Sequence, residues 1–166
     1  MTLEDEIVLL RPFDKGDVPA IVAACQDPEI PRWTSVPSPY TEADAVAWLE
    51  SDVEESFAVV DRSTGELLGS IGVRYLDSAV GEVGYWMKRE ARGRGLATRA
   101  LALLSRWALV EKSLARFQLR ADVENVASQR VAEKAGFVRE GVLRSSLELM
   151  GERRDVIMYS LVPDDL

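Results

Sequence analysis

The sequence predicts an α/β (α+β) fold in which a mixed, mostly antiparallel central sheet of about seven strands is flanked by about four helices. Three observations predict it. Apolar residues alternate with a two-residue period in some stretches and a helical period in others. Hairpin-type turns join several of the strand-like stretches, whereas helical stretches separate others, which calls for both antiparallel and parallel neighbours. A strand-like run, Glu82 to Lys88, passes through the turn Arg92-Gly93-Arg94-Gly95 into a helix-like run from Leu96 to Glu111. The 166 residues, 47% of them apolar, make a single domain over residues 1–166 with room for a core, and no linker, repeat or low-complexity segment interrupts it.

The elements follow in order. Ile7 to Phe13 reads as a first strand, with Pro12 near its exit. Asp14 is an N-cap for an amphipathic helix through about Cys25, because Val18, Ile21, Val22 and Cys25 share one helical face. Prolines at 28, 31, 37 and 39 make residues 28–40 an irregular loop that also carries Trp33 and Tyr40. Thr41 caps a second helix from Glu42 to about Val53, buried through Ala45, Val46, Trp48 and Leu49. Ser56–Asp61, Leu67–Leu76 and the run ending at Lys88 are strands, the first two joined by the turn Arg62-Ser63-Thr64-Gly65. After the long helix, Arg116–Asp122 alternates Phe117, Leu119 and Ala121 with Gln118 and Arg120, as a half-buried strand does. Asn125 caps a last helix that Gly136 ends, and Val138–Arg144 and Asp155–Val162 complete the sheet.

Composition narrows the chemistry. There is no histidine and one cysteine, Cys25, so a histidine base, a Ser-His-Asp triad and thiolate or imidazole metal sites are excluded. No metal is expected. The net charge of -8 opposes general nucleic-acid binding and suits a cationic partner such as an amine, with plain solubility as the simpler reading. No apolar run approaches the roughly 18 residues of a membrane span, so no membrane partner is expected. The acidic N-terminal residues lack a signal-peptide core, and the single thiol suits a cytoplasmic location.

The turn at residues 92–95 carries the sharpest signal. The first amides of a helix have no intrahelical partner, and the peptide dipoles make that end positive, so strand, glycine turn and helix together can hold a phosphate. The turn is not a Walker loop, since Leu96 and Ala97 stand where Lys and Ser or Thr would be needed, and two glycines do not make a dinucleotide fingerprint. A basic turn that only caps a helix is the plainer alternative.

The pattern Arg92-x-x-Gly95-x-Ala97 resembles the pyrophosphate loop of the GCN5-related N-acetyltransferases (GNAT), which bind acetyl-coenzyme A. Further pieces resemble the subgroup of ribosomal-protein N-terminal acetyltransferases: Leu10-Arg11-Pro12, Trp33…Pro39-Tyr40-Thr41…Trp48-Leu49, Gly84-Tyr85-Trp86-Met87, Asn125-x-x-Ser128 and Glu133-Lys134-Ala135-Gly136-Phe137. The resemblance spans nearly the whole chain and implies a transferase that moves an acetyl group from the thioester to a primary amine by direct attack.

It also implies roles for residues. The amides of Gly93, Arg94, Gly95, Leu96, Ala97 and Thr98 would bind the pyrophosphate, with Arg92, Arg94 and Arg99 adding charge. The backbone of Tyr85, Trp86 and Met87 would pair with pantetheine and the thioester carbonyl, beside a bulge at Gly84 that parts two parallel strands. Asn125 would contact the pantetheine arm, or serve only as an N-cap. Many relatives carry an acid tyrosine seven residues after this Asn. Ala132 stands there, so Ser128 is the candidate acid. Glu82 and Glu148 compete as the base, and Trp33 and Tyr40 are candidate walls for the amine substrate. Sheet edges in the family often pair, so a homodimer is among the expectations. A larger donor such as succinyl-coenzyme A, a small-molecule or antibiotic acceptor, and a non-catalytic acyl-coenzyme A module remain alternatives.

Overall fold

The computed structural model describes residues 1–51 and 55–166. One sheet organises it: β1 (Leu3–Glu4), β2 (Val8–Pro12), β3 (Glu55–Asp61), β4 (Leu67–Tyr75), β5 (Val80–Met87), β6 (Arg116–Asp122), β7 (Val138–Leu149) and β8 (Glu152–Leu161). Their spatial order is β1-β2-β3-β4-β5-β6-β8-β7, and every pairing is antiparallel except β5 with β6. Five α-helices accompany them: α1 (Val18–Ala24), α2 (Glu29–Trp33), α3 (Glu42–Leu49), α4 (Leu96–Val110) and α5 (Val126–Lys134).

The mixed, mostly antiparallel sheet agrees with the sequence reading, with two small additions. The two-residue β1 pairs with the start of β2 and is too short to announce itself by alternation. The proline-rich loop contains α2, where Pro31 lies in the first turn and its missing N–H costs nothing. Asp14 caps a short 3-10 turn, Lys15–Asp17, that leads into α1 rather than capping α1 itself. The second helix ends at Leu49, and the expected boundary at Val53 lies outside the described residues.

Two cores lie on opposite faces. On one face α4 and α5 cover the sheet through Leu96, Ala100, Leu101, Leu104, Trp107 and Ala132 against Val83, Met87, Phe117, Leu119 and Tyr159. Trp107 meets Phe57 edge to face at 5.6 Å. On the other face α1, α2 and α3 pack Ile21, Ile30, Tyr40 and Ala45 on Ala58, Val60 and Trp86. Odd-numbered residues of β5, β6 and β8 therefore face α4 and α5, and even-numbered ones face the other way.

The β5–β6 pairing is what positions the site. It runs only from Val80–Arg116 to Glu82–Gln118, after which the ladder stops. On its other side β5 stays paired to β4 through Met87 in unbroken register, Gly84 opposite Gly72. The expected bulge at Gly84 is therefore absent from this ladder. The strands part because the β5–β6 ladder ends, with β6 going on to pair with β8 as far as Asp122. Gly69 on β4 helps to fix the parted segment, since a Cβ there would lie 2.3 Å from the Trp86 carbonyl oxygen.

Candidate active site

The opening between β5 and β6 is bordered by backbone from β5, the start of α4 and the start of α5. Lys88 donates its N–H to the Leu68 carbonyl on β4. The alternation of an antiparallel ladder then turns the amides and carbonyls of Tyr85 and Met87 the opposite way, toward the opening.

At the start of α4, Gly95 is the N-cap with φ 75° and makes no side-chain cap. Gly93 is also left-handed, with φ 71°. A Cβ at either would meet nothing within 4 Å, so the requirement for glycine is conformational, and the space above the turn is open. The amides that open α4 are thus unscreened by any capping side chain and suit an anion.

The three arginines here divide into distinct roles. Arg92 folds inward: its guanidinium donates to the Met87 carbonyl at 3.0 and 2.8 Å and pairs with Asp27 at 2.8 Å. Arg99 pairs with Asp5 at 2.8 Å. Arg94 is exposed and has no ion-pair partner among the described residues. The cluster of positive charge read from sequence is therefore carried toward solvent chiefly by Arg94, while Arg92 fixes the turn. Asp27, also bonded by Arg89 at 3.2 Å, ties the residues before α2 to this turn.

At the start of α5, Asn125 Oδ1 accepts the Ser128 N–H at 3.2 Å, so the capping role is real and its amide NH2 is left for another partner. The Tyr85 hydroxyl donates to Ser128 Oγ at 3.1 Å, which brings β5 and α5 together across the opening. Sequence reasoning gave Tyr85 a backbone role and did not foresee this side-chain contact. Burial pushes the Tyr85 phenol up.

The two candidate carboxylates differ. Glu82 is 8% exposed on the even-numbered face. One of its oxygens accepts from Arg74 at 2.5 Å and from Arg120 at 2.7 Å, and the other from Gln118 at 3.0 Å. Burial raises its pKa, but hydrogen bonds from Arg120 and Gln118 and the charges of Arg120 and Arg74 outweigh this and leave it below the ordinary value. Such a carboxylate is a poor proton acceptor. Glu148 is exposed and lies across the β7–β8 hairpin from Arg153, with a carboxylate–guanidinium distance of 3.7 Å. Arg153 is on the odd-numbered face of β8, so Glu148 shares the side of the sheet that α5 covers.

The aromatic walls also separate. Trp33 is half-buried, donates to Glu29 at 3.2 Å, and lies 4.5 Å from the Arg32 guanidinium and 6.0 Å from that of Arg154. Arg154 in turn reaches Asp122, at the end of β6, at 3.4 Å. Trp33 therefore stands at the rim of the opening on the even-numbered face. Tyr40 does not: it is 7% exposed inside the α1–α3 core, and burial pushes its phenol to about 12. Trp48 packs edge to face on Phe13 at 5.0 Å, a purely structural contact.

Open helix-start amides, left-handed glycines, a free carboxamide and an interrupted parallel ladder together suit an elongated ligand with an anionic group at one end. Residues 8–138 match the model of the acetyltransferase (GNAT) domain, and the chain belongs to that family. It is 25% identical over 171 residues to the N-acetyltransferase p20 of Bacillus licheniformis, covering 97% of this chain and 96% of that one. It is 31% identical over 101 residues to the ribosomal-protein-serine acetyltransferase of Escherichia coli K12, covering 60% and 56%. The structure of RimL, a ribosomal L7/L12 alpha-N-protein acetyltransferase in complex with coenzyme A, superposes with a TM-score of 0.89 at 20% identity over the full length of both chains. The chain is thus an acetyl-coenzyme A-dependent N-acetyltransferase of the subgroup similar to ribosomal-protein acetyltransferases. When bound, the thioester supplies the activated acetyl group.

Proposed function

We propose that this enzyme acetylates the α-amine of a protein or peptide N-terminus. The observation that carries this reading is a shallow, solvent-open surface along the β7–β8 hairpin, bordered by Val142, Leu143, Arg144, Ser145, Ser146 and Arg153. Such an open surface suits an extended chain better than a small metabolite, which is held in an enclosed pocket. The likeness to the ribosomal-protein-serine acetyltransferase of Escherichia coli supports the same acceptor class.

In this reading the amides of residues 93–98 and Arg94 hold the pyrophosphate. The backbone of Tyr85, the Met87 amide and the Asn125 carboxamide hold the arm; the Trp86 amide and carbonyl, expected to share this role, point instead to β4, and the Met87 carbonyl is taken by Arg92. Trp33 borders the acceptor. Glu148 takes the amine proton, because Glu82 has both oxygens occupied. Ser128 offers its hydroxyl hydrogen to the leaving sulfur. The single buried thiol, Cys25, favours a cytoplasmic setting.

The test follows coenzyme A release from acetyl- and succinyl-coenzyme A with short peptides bearing a free N-terminal serine or alanine. Nα-blocked peptides containing lysine, and small amines, complete the panel. The expected result is turnover of acetyl-coenzyme A only with free N-termini, lowered 10-fold or more by Glu148→Gln. Turnover confined to small amines or to succinyl-coenzyme A would replace the acceptor or the donor. Tight binding without turnover would favour a non-catalytic module.

A further inference from the structure

Ser128 is a weak acid on its own, since an isolated hydroxyl has no reason to aim its hydrogen at one acceptor rather than another. The opposite wall supplies such a reason. The Tyr85 hydroxyl lies 3.1 Å from Ser128 Oγ and donates to it, joining residues 43 positions apart. A hydroxyl that accepts one hydrogen bond has its own hydrogen left for a different partner, and donation into it makes it a stronger donor. The Ser128 N–H is engaged by Asn125, so the start of α5 is fixed from both sides. The phenol is set by its ring, which packs against the main core, and by the β4–β5 ladder that holds its backbone. The helix offers no phenol of its own near this point, because Ala132 is buried in the core.

We infer that Tyr85 is a positioning residue: its hydroxyl orients Ser128 so that the serine hydrogen points at the sulfur of the bound coenzyme and stabilises the thiolate as it forms. This rests on the acetyl-coenzyme A reading of the site. No proton need leave Tyr85. Its phenol stays protonated at neutral pH, since burial holds its pKa above the ordinary value. The serine–sulfur hydrogen bond strengthens as the carbon–sulfur bond breaks and the electron pair moves to sulfur. The sulfur then takes its proton from water, directly or through Ser128, which regains a proton from water as it gives up its own.

The inference can be read without an acceptor. Free coenzyme A carries a thiol, and a donor aimed at its sulfur favours the thiolate and lowers the thiol pKa in the binary complex. Ultraviolet absorbance of the thiolate, followed against pH with coenzyme A bound, gives that pKa. Four proteins are compared: the parent, Tyr85→Phe, Ser128→Ala and the double variant. The parent should hold the thiol about one unit below its value in solution. Ser128→Ala should remove that shift, Tyr85→Phe should remove at least half of it, and the double variant should match Ser128→Ala. Ser128→Thr, which keeps the hydroxyl, should retain most of it. Binding of desulfo-coenzyme A should agree within about twofold across the set, which separates an effect on sulfur from loss of fold.

An unshifted thiol in the parent, a Tyr85→Phe protein identical to the parent, or a double variant worse than Ser128→Ala would each overturn the positioning role. These outcomes leave the cofactor reading intact. Failure of the parent to bind both coenzyme A and desulfo-coenzyme A would overturn the two together.

Discussion

The proposed donor side and the proposed acceptor side of this sheet are built from different materials. The donor side is backbone: two left-handed glycines, the first amides of α4, and the parted edge of β5. The acceptor side is side chain: Trp33, Arg154 and Asp122 at the rim, and Glu82 held by Arg74, Gln118 and Arg120 from neighbouring strands. Backbone chemistry fixes where a common cofactor lies and tolerates little change. Side-chain chemistry can be exchanged residue by residue, which suits a surface that selects one amine among many.

Substitutions can break this contrast or sharpen it. The largest effect is expected from Gly95→Glu, which forces a side chain into a φ of 75° and places a negative charge at an anion site. Calorimetry should show coenzyme A affinity falling by about 100-fold or more, with the melting temperature changed far less. An unchanged affinity would mean that the pyrophosphate does not lie at this turn.

On the acceptor side, Glu82→Gln removes one charge from between two guanidinium groups, and the protein should lose about 2 kcal/mol of unfolding free energy in urea. Coenzyme A binding should be unaltered. A fully stable variant with turnover lost would instead make Glu82 the base. The sign of its pH linkage follows from its depressed pKa. The stabilisation is present above the ordinary value of 4.5 and is lost as the pH falls through the lower folded-state value. Glu140, held by Arg116 and Ser160 at about 2, acts in the same direction, so acid unfolding should steepen below pH 4.5. The smallest effect is Arg94→Ala, expected to weaken coenzyme A by about 3- to 10-fold, with the difference fading at high salt.

The same contrast explains what could be read in advance. The turn at 92–98, the caps at Thr41 and Asn125, and the strand at 116–122 are local patterns, and each is found where the sequence places it, although Gln118 is buried rather than on the exposed face of a half-buried strand. The conformation of this turn and of these caps was legible for that reason. The acceptor side was not, because its contacts join distant residues. Nothing near Glu82 reveals that residues 74, 118 and 120 will saturate it. Tyr40 and Trp33 occupy one proline-rich stretch, yet Tyr40 closes a core while Trp33 reaches the rim. The Tyr85–Ser128 contact depends on the interrupted ladder, a feature of strand pairing rather than of either residue.

The 15-residue α4 begins at the Gly93–Gly95 turn, the proposed phosphate site, and buries Leu101 and Leu104 completely. Its opening amides are consequently anchored to a rod about 22 Å long that cannot shift without disturbing the hydrophobic interior. The entropy of arranging those donors is spent when the chain folds, before any ligand arrives. A conservative cavity such as Leu101→Ala, far from any phosphate, would therefore be felt as slackness in recognition as well as a lower melting temperature.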